Sequence, residues 1–273
     1  MRGASRNALA AAQERLDAVL GGSRDASAAL ALARALLQVA TLLSGERSLA
    51  RSLSDPGIDA AARRNLVDAV FRGKVDDDVL DLLQVVTGER WSQEDDLVDG
   101  VETLGAQAAF TAAERDGTLE DTEDELFRFA RIVDGAPDLR TALADPRTPV
   151  EAKRRLVQSL LEGKVGDVTL LLAEHVVAAP RGRAADRAID ELAAQAAARK
   201  QRVIAVVTSA VPLSSEQTDA LAESLGRVLG HDVHLQTRTD PEILGGVVIR
   251  VGDELFDGSV LARMSAARTL LTR

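Results

Sequence analysis

The sequence predicts a mainly α protein: tandem N-terminal helical bundles followed by a small C-terminal α/β domain. Three observations carry this. Apolar residues recur at helical spacing as far as Lys200. A stretch of 38 residues repeats after an interval of 90. Beyond Lys200 the chain turns to short β-branched runs separated by turn residues.

The first helical stripe is Leu9, Ala12, Leu16 and Val19, on a segment from Ser5 to Leu20. Leu30 to Leu43 is apolar on most sides and is expected to be a central, buried helix. Leu97, Val101, Leu104 and Ala108 form a second stripe, on a helix from Trp91 to Arg115. Ala185, Ala188, Ile189, Leu192 and Ala196 form a third. Asp55-Pro56 and Asp145-Pro146 end the helix before each, because the residue preceding proline is driven out of the helical region. Thr148-Pro149-Val150-Glu151 reads as a capping box with proline at the first helical position, and Thr122 and Glu125 share its spacing.

After Lys200 the period changes from 3.6 to 2. Arg202 to Thr208 and Val233 to Thr239 read as strands. Ser214 to Gln217 is a capping box for a helix that ends at Gly230. Val247 to Val251 is a third strand, turned by Gly252-Asp253 into a fourth at Glu254 to Phe256. Ser259 caps a last helix through Leu270.

The repeat aligns Leu49–Val86 with Leu139–Val176 without gaps, and 15 of the 38 positions are identical. They are mostly core, breaker and turn positions, among them Leu53/Leu143, Arg64/Arg154, Gly73/Gly163 and Leu80/Leu170. Preservation of that kind of residue points to a duplicated scaffold. The expected domains are therefore residues 1–118, 119–200 and 201–273.

Composition limits the function. The chain has 273 residues, a net charge of −10 and no Cys or Tyr. An acidic surface repels nucleic acid, so none is expected as a partner. The lack of Cys excludes disulfides, thiolate metal sites and Cys nucleophiles. No apolar run is expected to reach the roughly 18 residues of a spanning helix, and Met1–Ala12 lacks the apolar centre of a signal peptide. A soluble protein is expected, its membrane association running only through a partner complex.

A search for reactive chemistry returns structural readings. Gly73-Lys74 and Gly163-Lys164 lack the first Gly and the Ser/Thr of a phosphate loop, and read as helix-ending glycines with a Lys near the last carbonyls. His231 and His234 sit three apart on a strand, on opposite faces, which is no metal pair; His175 reads as a packed side chain. Glu94-Asp95-Asp96, Asp76-Asp77-Asp78 and Glu123-Asp124-Glu125 read as first-turn charge complementing helix dipoles. No catalytic, cofactor-binding or metal-ligating residue is expected.

The C-terminal run Asp240-Pro241-Glu242-Ile243-Leu244-Gly245-Gly246-Val247-Val248-Ile249-Arg250-Val251-Gly252-Asp253, continued by Phe256-Asp257-Gly258-Ser259-Val260-Leu261-Ala262-Arg263-Met264, resembles the signature of the ATP synthase delta subunit. The mitochondrial relative of that family is the oligomycin-sensitivity-conferring protein. Val206 to Ser214 is similar to its strand-to-helix junction. The helical region matches more loosely, and the extra bundle is a departure associated with actinobacterial members. The signature residues with structural roles are Asp240, Pro241, Leu244, Gly245, Gly246, Ile249, Gly252, Asp257, Gly258 and Ser259.

The resemblance implies a non-catalytic stator subunit of the peripheral stalk, at the cytoplasmic face of the bacterial plasma membrane. In the family the helical bundle grips N-terminal helices of the alpha subunits, and the α/β domain holds the C-terminal region of the b subunit. The complex thereby resists rotor torque. Helix-in-groove binding places the expected contacts on Leu9, Leu16, Val101 and Leu104, flanking a groove of the first bundle, and on Leu261 and Met264 of the last helix. A rival reading is a free-standing helical-repeat adaptor outside the synthase.

Overall fold

The computed structural model describes residues 3–22, 25–200, 203–229, 233–240, 243, 246–251 and 254–257. Eleven helices precede the first strand: α1 (Gly3–Gly21), α2 (Ala26–Gly45), α3 (Arg47–Ser54), α4 (Ala60–Phe71), α5 (Asp77–Gly88), α6 (Glu94–Asp116), α7 (Leu119–Gly135), α8 (Pro137–Ala144), α9 (Val150–Leu161), α10 (Asp167–Ala178) and α11 (Ala185–Lys200). Then come β1 (Val203–Ser209), α12 (Ser215–Leu229), β2 (Val233–Thr239), β3 (Val247–Val251) and β4 (Glu254–Asp257).

The sequence repeat is a structural one. Adding 90 to the ends of α3, α4 and α5 gives the ends of α8, α9 and α10 residue for residue. Both Asp-Pro pairs stop a helix, α3 at Ser54 and α8 at Ala144. Gly73 and Gly163 end the next helix of each copy in the left-handed region, at φ +75° and +73°, and Lys164 Nζ donates to the Leu160 carbonyl. The spacing from α1 to α6 matches that from α6 to α11. Helix α6 is thus the last helix of the first six-helix set and the first helix of the second.

That double duty explains its composition. Every residue of α6 from Ala108 to Ala113 is buried, which happens only when neighbours surround a helix. Its glycines let those neighbours approach. A β-carbon on Gly105 would lie 2.7 Å from Leu37 Cδ2, and one on Gly100 would overlap the Trp91 ring. Packing α2 along α6 at this distance buries Ala33, Leu36, Leu37 and Ala40. Arg115 at the end of α6 binds back to the Leu20 and Asp25 carbonyls at 2.6 and 3.0 Å, closing the α1–α2 junction.

Several expectations are corrected. Buried side chains from Ala8 to Ala196 form one continuous core, and the chain divides into two compact units, Met1–Ala196 and Ala197–Arg273. The expected boundary at 118/119 therefore falls inside one unit, because α6 belongs to both copies. Helix α2 is long and apolar enough to cross a membrane, contrary to the sequence expectation, but it is a core helix packed on α6 and α10. Helix α9 begins at Val150 with Pro149 at the cap and no side-chain cap bond. Thr122 and Glu125 lie inside α7, where the acidic first-turn residues are Glu120 and Asp121. Glu125 instead caps the start of α10, accepting from Gly166 N at 3.0 Å and Thr169 Oγ1 at 2.6 Å.

The second unit holds a four-stranded sheet in the order β2-β1-β3-β4. Strand β1 pairs parallel with β2 and antiparallel with β3, which pairs antiparallel with β4. Helix α12 connects the parallel pair, as such a connection requires. Its capping box forms as expected: Ser214 N donates to Gln217 Oε1 at 2.9 Å and Gln217 N to Ser214 Oγ at 3.3 Å. Val207 and Ile249 centre the small core, with Leu221 and Leu225 of α12 packed against them.

Candidate functional site

The residues expected to meet partners in the helical unit do not line an open groove. Leu16, Val101 and Leu104 are fully buried, because α1, α2 and α5 close around α6 and the stripes satisfy one another. Leu9 alone of the four is half-buried. Leu261 and Met264 lie outside the described residues, as do the last helix and Pro241, Leu244, Gly245, Gly252, Gly258 and Ser259 of the signature. The pair His231 and His234 is not placed either, His231 being outside the described residues.

The signature residues that are described hold the sheet together. Asp240 N donates to the Ser209 carbonyl at 2.9 Å, tying the end of β2 to the end of β1. Gly246 has φ +85° at the entry to β3, a conformation that β-carbon-bearing residues resist. Ile249 is buried opposite Phe256 in the β3–β4 register, and Asp257 pairs with Val248.

Sequence reasoning missed a half-buried polar seam where the two copies meet. Glu102 of α6 lies at its centre. His175 Nε2 on α10 is 3.4 Å from Glu102 Oε1, and Nδ1 of the same ring is 3.4 Å from Thr41 Oγ1 on α2. Arg183 donates to Glu102 Oε1. Arg181 Nη1 reaches Asp99 Oδ1 at 2.5 Å and Glu102 Oε2 at 3.3 Å, while Nη2 donates to the Asp95 carbonyl at 3.1 Å. One cluster thus joins the first copy, the shared helix and the second copy.

The seam fixes the backbone as well. Arg181 has φ +48° and Gly182 +77°, and Arg183 N bonds back to the Pro180 carbonyl at 2.8 Å. Two successive positive φ values make a tight turn that a non-glycine residue adopts only when its surroundings hold it. Here the Arg181 guanidinium is anchored by three acceptors on α6.

Burial alone would raise the Glu102 carboxyl, but the neighbouring His175 ring and the Arg183 guanidinium that donates to it bring it down to about 2. Asp99 goes the other way. Burial pushes it above the usual carboxylate value, the Arg181 charge opposes this, and neighbouring Glu102 adds to the rise. The only sequence signal for this seam was a lone His in an apolar stretch.

A buried cation braces the first copy internally. Arg63 is 4% exposed and donates to five carbonyls, those of Asp55, Ile58, Thr87, Gly88 and Glu89. Its counterpart one repeat later is Lys153, also buried. Among the described residues no group of His, Asp and Glu could hold a metal ion.

These features define a class: a duplicated helical scaffold built on one shared helix, carrying a small α/β unit. The profile of the family ATP synthase delta (OSCP) subunit matches residues 101–271, starting within α6. The chain belongs to that family. It is 44% identical over 98% of both chains to "ATP synthase subunit delta" of Streptomyces griseus. It is 43% identical to the protein of that name in Frankia casuarinae, over the whole of both chains. With the Salinispora arenicola protein of the same name it shares 41% over 98% of each. The profile covers the second copy and the α/β unit, and the first copy up to residue 100 lies outside the match.

Proposed function

We propose that the chain is a non-catalytic subunit of the proton-translocating ATP synthase, acting in the peripheral stalk as a stator. It links the alpha/beta head to the b-subunit stalk at the cytoplasmic face of the membrane and resists rotor torque. The observation that carries this reading is family membership along the whole chain, including both copies. The rival reading, an adaptor outside the synthase, has no comparable support among relatives of matching length and name.

The helical unit takes N-terminal helices of the alpha subunits, and the α/β unit takes the C-terminal region of b. A continuous core with a shared central helix suits a torque-bearing body, since a bending load must disrupt buried packing throughout it. Leu9, with surface left on α1, and Leu261 and Met264 are the proposed contact residues; Leu16, Val101 and Leu104 belong to the core of the helical unit. Isothermal titration of the full chain with an alpha N-terminal peptide and a b C-terminal peptide tests the reading. Saturable 1:1 binding of each is expected, with Leu9→Glu weakening the first. No binding of either peptide would refute the assignment.

A further inference from the structure

His175 is buried, and its ring stands where the two copies meet. Nδ1 faces Thr41 Oγ1 on α2 and Nε2 faces Glu102 Oε1 on α6, each at 3.4 Å. Nε2 is shut off from solvent and has no hydrogen-bond partner among the described residues. The scaffold does not require an imidazole at this position. One repeat earlier, α5 carries the half-buried Val85 there, and the counterpart of Thr41 is the exposed Arg131. The ring and its hydroxyl neighbour thus belong to the joint between α2, α6 and α10 and not to the repeat itself.

The hydrogen bonds around the ring place its protons. The hydroxyl hydrogen of Thr41 goes to the Leu37 carbonyl, at 2.9 Å, which leaves the oxygen free to accept. Nδ1 therefore carries the hydrogen that meets it. In a neutral ring Nε2 is then a bare lone pair set against the Glu102 carboxylate, acceptor against acceptor. A proton on Nε2 turns that contact into a donor–acceptor pair. Charge acts in the same direction. Asp95, Asp99 and Glu102 of α6 face the guanidinium groups of Arg181 and Arg183, and a protonated ring supplies the missing third cation. Helices α7 and α9 also pack on α10, but among the described residues neither brings a charged side chain within bonding distance of the ring. Glu125 of α7 binds the far end of α10, at Gly166 and Thr169.

We propose that His175 is a proton-dependent latch between the two copies. With a hydrogen on each ring nitrogen it holds Thr41 of α2 and Glu102 of the shared helix at once. Loss of the Nε2 proton releases the Glu102 side and loosens α10 from α6. Histidine is the side chain whose charge ordinarily changes within the pH range that cells visit, so the firmness of the joint follows the proton concentration around the chain.

The test follows the ring-nitrogen resonances of the full chain, isotope-labelled at histidine, from about pH 6 to about pH 9. The His175 signal is the one that disappears in His175→Val, the residue type found at this position of the first copy, or in His175→Gln should the Val variant not fold. Urea unfolding read by Trp91 fluorescence covers the same range for the unmodified chain and the variant. The latch requires a doubly protonated His175 ring at the acid end. It also requires the unfolding midpoint of the unmodified chain to shift downward as the Nε2 proton leaves, because a proton held by the folded state stabilises it only while bound. That shift should be lost in the variant. A neutral ring at the acid end with its hydrogen on Nε2 and Thr41 donating to Nδ1 overturns the proposal. So does a midpoint that moves equally in both proteins. Neither result touches the stalk-subunit reading, since the isolated chain suffices for both measurements.

Discussion

Leu37 and Gly105 are packed so closely that the glycine's missing β-carbon would lie 2.7 Å from one Leu37 methyl and 3.3 Å from the Leu37 backbone nitrogen. Helix α2 cannot keep its position if α6 gains a side chain there. Gly105→Ala is expected to destabilise the helical unit by about 1–3 kcal/mol through overpacking, against roughly 1 kcal/mol gained from helix propensity. Gly135→Ala, where nothing lies within 4 Å, is the control and should be neutral or slightly stabilising. Chemical denaturation followed by circular dichroism checks both.

The shared helix makes a stronger prediction. Trp91 is the only tryptophan, it is buried, and its Nε1 donates to the Val86 carbonyl at 2.7 Å, so its fluorescence reports the first copy. Leu172 belongs to the second copy and is fully buried. Leu172→Ala should cost about 2–5 kcal/mol and shift the Trp91 transition by the full amount. An unmoved Trp91 transition would mean that the two copies unfold independently.

Arg63 satisfies five carbonyls at the close of α3 and α5 from a buried position. Arg63→Ala strands them and is expected to cost at least about 3 kcal/mol. Arg63→Lys should recover part of that loss, because Lys153 occupies the corresponding buried position in the second copy. Thermal unfolding of the three proteins gives the order: unmodified chain, then Lys, then Ala.

Acid should act on the polar seam. The Glu102 carboxyl is held at about 2, below its ordinary 4.5. Its contribution is present above pH 4.5 and is lost as pH falls toward 2, on the order of 3 kcal/mol in full. Asp99, shifted upward, works in the opposite sense and offsets part of the loss. Glu102→Gln should flatten the stability profile between pH 4.5 and 2. A profile as steep as that of the unmodified chain would place the acid sensitivity elsewhere.

How much was legible beforehand depends on the kind of interaction. Helix ends written in backbone chemistry were readable: both Asp-Pro stops, both left-handed glycines and the Ser214–Gln217 box stand as expected. The repeat was readable because breaker and core residues survive duplication. The sharing of α6 was not, since a gapless match from Leu49 to Val86 says nothing of which helix closes each set. The amphipathic stripes of α1 and α6 were read as partner-facing, yet periodicity shows only that a face is buried, not by what. Beyond the lone His175, the Glu102 seam gave no warning because its members lie on α2, α6, α10 and the α10–α11 turn, far apart in sequence.

The most direct test of the account is proton pumping by membranes whose synthase has been stripped of this chain. ATP-driven pumping should be lost while ATP hydrolysis by the catalytic head continues, and adding the purified chain back should restore it. Pumping that persists at full strength without the chain, or that the chain cannot restore, would contradict the stator role.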